Sequence, residues 1–196
     1  MRRIVLASSN LGKLAELRAL LAGRQVEVIA QSDLGIDDAH ESGLSFVENA
    51  LIKARHATQL SGLPALADDS GLCVDALDGQ PGLYSARYAG DHGNDGANCR
   101  KLLAVLDGVE DTQRSAHFHC SVALLRSVSD PAPLIAEGRW QGRILHSARG
   151  TGGFGYDPLF LDPVTGLSAA ELDATVKNRL SHRGQALAAL MSLLPP

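Results

Sequence analysis

An apolar run, Ile4-Val5-Leu6-Ala7, stops abruptly at Ser8-Ser9-Asn10. Leucines at 14, 17, 20 and 21 then share one helical face, Gly23 marks a stop, and a second extended run covers Val26 to Ala30. Strand, polar loop, amphipathic helix and strand in that order open an α/β fold.

Later segments extend the pattern. Ser45 precedes Phe46, Ala50, Ala54 and Ala57 at near-helical spacing, with Glu48 three residues on, which predicts a capped second helix. Ala65-Leu66-Ala67 reads as a short buried strand, Gly79 to Gly96 as loop, and Asn98 to Leu106 as helix. Two extended segments, Ala116 to Arg126 and Leu134 to Ile144, flank Ser129-Asp130-Pro131-Ala132-Pro133 and predict a hairpin-like antiparallel pair. Gly150 to Gly155 is loop, and Ser168 to Leu194 is mostly helical with a break near Asn178 to Ser181. No internal repeat or low-complexity linker divides the 196 residues, of which 45% are hydrophobic, so a single domain over 1–196 or two closely joined lobes is expected.

A net charge of -4 excludes general attraction to long nucleic acid, which needs a basic surface. No apolar run approaches the roughly 20 residues of a membrane helix, and Met1 to Ala7 is too short for a signal-peptide core. Cys73, Cys99 and Cys120 are odd in number and lack metal-type spacing, which fits reduced, buried thiols and a cytoplasmic protein.

Four polar clusters fall at loops or element ends. Ser8, Ser9, Asn10 and Lys13 sit where a helix begins, a place that favours anions, although the same residues serve equally as a helix cap and a solvated lysine. Asn49 and Lys53 share a helix face, with Glu41 in the preceding loop. Asp68 and Asp69 follow an apolar strand and project to opposite sides unless the chain turns at once, which Gly71 permits; strand-end carboxylates suit Mg²⁺, and a plain Asp-Ser-Gly turn is the alternative. Phe154, set among glycines, can stack on a base, and His182 and Arg183 can donate to a base edge or a phosphate; the alternative makes Phe154 a loop anchor and Ser181 a cap before an exposed His182 and Arg183. His117 and His119 share a strand face without a third ligand, and no serine-hydrolase elbow is present.

In order, Ser8-x-Asn10-x-x-Lys13, the stretch Glu41 to Lys53, Ala67-Asp-Asp-Ser-Gly-Leu72, Pro81-Gly-Leu-Tyr-Ser-Ala-Arg87, Phe154-Gly-Tyr-Asp-Pro158 and Lys177-Asn-x-x-Ser-His-Arg183 resemble the inosine triphosphate pyrophosphatase family over nearly the whole chain. A Maf-like nucleotide pyrophosphatase shares the opening but lacks the last two motifs. The resemblance implies a homodimer with an elongated mixed β-sheet flanked by helices and two lobes around a deep central cleft. It also implies Mg²⁺-dependent cleavage of ITP, dITP and XTP between the α- and β-phosphates, which cleanses the nucleotide pool. By matching positions, Asp69 is the catalytic acid-base residue and, with Glu41, a metal ligand, while Asp68 is a possible helper. Ser8, Ser9, Asn10, Lys13 and Lys53 hold phosphate, Ser70 contacts the nucleotide, and Phe154, Gly155, Tyr156, Asp157, Lys177, His182 and Arg183 surround base and sugar. The stretch Asp173-Ala-Thr-Val176 lacks an acid that relatives carry, at a point no expected role uses.

Overall fold

A computed structural model describes residues 2–22 and 26–194, so Gly23, the expected stop of the first helix, lies outside them. The elements are β1 (Arg2–Leu6), α1 (Leu11–Leu21), β2 (Val26–Ala30), α2 (Phe46–Ser61), β3 (Ala65–Val74), α3 (Asp95–Val105), β4 (Ser115–Leu125), β5 (Leu134–Ile144), β6 (Phe160–Leu161), α4 (Ala174–Leu180) and α5 (His182–Ser192). Among the described residues one six-stranded sheet forms in the order β2-β1-β3-β4-β5-β6. β1 runs parallel to β2 and β3, and β6 runs antiparallel to β5, so the fold is α/β with a mixed sheet.

Two compact units divide the chain: Met1–Asp69 with Cys120–Gly138 and Arg183–Pro196, and Ser70–His119 with Arg139–His182. In the first, Leu14, Leu17 and Leu21 of α1 pack with Leu6, Leu66, Val122 and Leu187, as the leucine spacing predicts. A second cluster joins Ala50, Ala54 and Ala57 of α2 to Val5, Ala7, Ala65 and Ala67. The alanine face lets α2 lie close to the strands, which brings its neighbouring polar residues to β3. In the second unit Leu72, Leu102, Phe118, Trp140, Tyr156 and Phe160 form the core.

Several boundaries differ from the sequence reading. β3 does not end at Ala67 or turn at Gly71; it continues through the two aspartates to Val74. The 79–96 segment contains a 3-10 turn, Gly82–Arg87, and α3 starts at Asp95 behind an Asn94 cap, earlier than the expected Asn98. Residues 168–173 are not helical, because the Asp173 side chain caps α4 and sets its start at Ala174. The break falls at Ser181. Between β4 and β5, which are sheet neighbours, Asp130 accepts from the Arg126 backbone and guanidinium and from Ala132 N, fixing the proline-containing turn. All three cysteines are free thiols, but only Cys120 is fully buried. Burial pushes its thiol up to about 12. No helix among the described residues is long and apolar enough to cross a membrane.

Candidate active site

Because Asp68 and Asp69 lie inside a strand, their side chains leave on opposite faces. Each acquires its own cations, all within the first unit. Asp68 Oδ2 lies 3.2 Å from Lys13 Nζ and accepts from Arg183 Nε at 3.2 Å. Arg183 also pairs with Glu16. Burial pushes the Asp68 carboxyl up, but Lys13, Arg183 and Lys53 outweigh that and hold it well below the usual carboxylate range. Arg183, likewise penalised by burial, is held charged by Asp68 and Glu16.

On the other face, α2 supplies Asn49 and Lys53. Asn49 Nδ2 donates to Asp69 Oδ2 at 3.2 Å, while Asn49 Oδ1 accepts from Gly43 N at 2.8 Å. One amide thus ties the loop before α2 to β3. A Cβ on Gly43 would lie 2.7 Å from Asn49 Oδ1, so the loop can dock this closely only as glycine. Glu41 comes with that loop, and Lys53 Nζ donates to both Glu41 Oε1 and Asp69 Oδ1 at 2.8 Å. Burial works against the Lys53 ammonium, but Asp69, Asp68 and Glu41 shift its titration above the ordinary lysine range. Among the described residues no group of three or more His, Cys, Asp or Glu side chains is arranged to hold a metal. Glu41 and Asp69 nonetheless converge two carboxylate oxygens on one ammonium, a stand-in cation, and this donor set fits Mg²⁺, which commonly takes one or two carboxylates together with substrate phosphates.

At the β1–α1 junction the capping reading holds for Asn10, whose Oδ1 accepts from Lys13 N at 3.0 Å. Ser8 Oγ accepts from Asn10 N. Lys13 is not a solvated lysine; it reaches Asp68 with its side chain only 16% exposed. Ser9 Oγ donates to Asp38 Oδ2 at 2.5 Å, and Gln31 Nε2 donates to the other oxygen of the same carboxylate.

In the second unit, buried Asp157 organises the 153–157 loop: its Oδ2 accepts from Phe154 N at 2.8 Å and from Lys177 Nζ at 2.7 Å. Lys177 Nζ sits 4.9 Å from the Phe154 ring centroid, and the ring is half-buried rather than exposed. Gly153 has φ +72°, and a Cβ there would fall 2.1 Å from Asp157 Oδ2. Gly155 N donates to Asp95 Oδ2 at 2.7 Å, and the Tyr156 hydroxyl donates to Ser85 O at 2.9 Å. Ser70, half-buried, is the first residue of this unit. His182 is buried and stacks on Phe118, with centroids 4.7 Å apart and planes 12° from parallel. The exposed first-turn role is thereby excluded for His182 and Arg183 alike.

The structure therefore gathers Lys13, Asp68 and Arg183 on one face of β3 and Glu41, Lys53 and Asp69 on the other, and Phe154, Asp157 and Lys177 in a separate network of the second unit. Arg183, expected beside the base, belongs to the Asp68 set, paired with Asp68 and Glu16. Glu16, Asp38, Asp95 and Phe118 were not singled out from sequence. Only Glu16 carried a local signal, three residues beyond Lys13 on α1.

The Ham1 family profile matches residues 4–193. A dITP/XTP pyrophosphatase of Xanthomonas oryzae pv. oryzae is 62% identical over 194 residues, covering 99% of this chain and 98% of the relative. One of the same name from Methylococcus capsulatus is 59% identical over 193 residues, 98% of this chain and 96% of the relative. Among solved structures, a HAM1 protein from Coxiella burnetii superposes with TM-score 0.90 at 50% identity over 98% of each chain. A nucleoside-triphosphatase / dITP/XTP pyrophosphatase from Mycobacterium abscessus gives 0.76 at 45% identity, covering 97% of this chain and all of that one. Matched from end to end in sequence and in fold, the chain belongs to the Ham1 family.

Proposed function

We propose that the chain hydrolyses non-standard purine nucleoside triphosphates, dITP, XTP and ITP, to the monophosphate and pyrophosphate, keeping such bases out of DNA and RNA. The observation that carries the reading is the pair Asp68-Asp69 on β3, each carboxylate facing its own lysine, in a chain so similar throughout to dITP/XTP pyrophosphatases. Hydrolysis of a phosphoanhydride needs positioned phosphates, neutralised charge and a base for water. Ser8, Ser9, Asn10, Lys13 and Lys53 bind the phosphates. Asp69 takes a proton from water as the water oxygen bonds to the α-phosphorus, and the bond to the bridging oxygen breaks with departure of pyrophosphate. Mg²⁺, held through Glu41 and Asp69, supplies charge neutralisation on the phosphate oxygens.

Base recognition falls to the network of the second unit, with Ser70 at the nucleotide. Phe154 offers its ring face, Asp157 fixes Phe154 and Lys177, and Gly155 and Tyr156 hold the loop in shape. Lys177 and His182 donate to a six-keto oxygen, which accepts them; the adenine amino group presents a further donor and leaves buried donors unpaired. The protein acts in the cytoplasm as a homodimer. Asp69→Asn tests the assignment: turnover of dITP should fall by about 10²- to 10⁴-fold, while dITP binding measured by calorimetry is retained. A fully active variant removes Asp69 from its role.

A further inference from the structure

Lys53 occupies an unusual position for a phosphate-binding lysine. Its ammonium lies 2.8 Å from a carboxylate oxygen of the 41–45 loop side, Glu41 Oε1, and 2.8 Å from one on β3, Asp69 Oδ1. The three side chains are 13%, 28% and 10% exposed, so water does little to separate the like charges of the two acids. Asn49 restrains the second Asp69 oxygen, keeping the carboxylate turned toward the ammonium. Lys13 differs in this respect. Its partner Asp68 is also engaged by a second cation, Arg183.

We propose that Lys53 is an internal counter-ion that fills the divalent-cation position of the nucleotide-free protein and excludes the free metal until a triphosphate draws the ammonium away. The inference rests on the hydrolase reading above. A triphosphate offers Lys53 several anionic oxygens, with which it forms charge-assisted hydrogen bonds. Glu41 and Asp69, deprived of their shared cation, then favour the metal that arrives with the phosphates. Metal and nucleotide consequently bind together, and the free protein is protected from adventitious divalent ions.

Mn²⁺ binding, followed by electron paramagnetic resonance without nucleotide, tests this on the intact protein. Lys53→Gln should bind Mn²⁺ at least about tenfold more tightly than the wild type, because a neutral side chain no longer competes for the two carboxylates; Lys53→Arg, still cationic, should bind as weakly as the wild type. Equal affinities in the wild type and Lys53→Gln would overturn the proposal. Should Lys53→Gln fail to fold, the ¹⁵N signal of the Lys53 ammonium in the wild type decides: it should stay in place with Mg²⁺ alone and move when Mg²⁺ is added with a non-hydrolysable dITP analogue. A shift with Mg²⁺ alone would overturn it equally. Normal pyrophosphate release by the wild type alongside equal Mn²⁺ affinities sinks the counter-ion role only, whereas absence of release sinks the hydrolase reading.

Discussion

Asp68 has no exposed side-chain surface, and burial by itself favours the neutral acid; Lys13 and Arg183 reverse the balance. With its folded pKa depressed below the unfolded value of about 3.9, the ionised group contributes stability above that pH. The contribution is lost as the pH falls toward the folded value. Asp68→Asn leaves buried Arg183 and partly buried Lys13 short of a charge, so unfolding in denaturant at neutral pH should become easier by about 3 kcal/mol. The acid limb of its stability profile below about pH 4 should also be flatter than that of the wild type. An Asn variant as stable as the wild type at pH 7 would contradict the ion-pair account. This network was only partly legible in the sequence. The two aspartates and Lys13 stand in recognisable motifs, but the Arg183 partners Asp68 and Glu16 lie 115 and 167 residues away, and no local pattern links them.

At the scale of elements, local chemistry was legible and long-range chemistry was not. The start of α2 could be read from Ser45 and Glu48 because capping is settled within one turn: Ser45 Oγ accepts from Glu48 N, and the Glu48 carboxylate accepts from Leu44 N and the Ser45 hydroxyl. Ser45→Ala should destabilise the protein by about 1 kcal/mol, measured by chemical denaturation. The composition of Asp-Asp-Ser-Gly suggests a turn and hence a shorter β3, while the cations that make two carboxylates tolerable inside a strand come from α1, α2 and α5. The 153–157 loop depends on backbone geometry. Gly153→Ala combines a positive φ with a Cβ driven into Asp157, so it should raise the KM for dITP through a displaced Phe154 and Lys177, with a smaller effect on kcat. A variant with unchanged KM would separate this loop from base recognition.

For the whole molecule, three separate stretches of chain build the first unit and two build the second, and β3, β4 and β5 each contribute to both. Neither unit is a contiguous piece of sequence, which is why no linker could be found and why one domain over 1–196 was the natural reading. The sheet class was legible because alternating strands and helices near the N-terminus dictate parallel neighbours, here β2-β1-β3. Base contacts for Phe154, His182 and Arg183 are suggested by residue chemistry as well as by the family motifs, but neither reveals that Arg183 engages a buried carboxylate 115 residues away. The proposed function asks this scaffold to distinguish both a bond and a base. Mixing the protein with Mg²⁺ and dITP, XTP, ITP, ATP, GTP or dTTP, and assaying pyrophosphate separately from phosphate, tests both at once. Stoichiometric pyrophosphate and monophosphate should appear from dITP, XTP and ITP with little turnover of the others; strong ATP hydrolysis, or release of phosphate alone, would rule out the proposed activity.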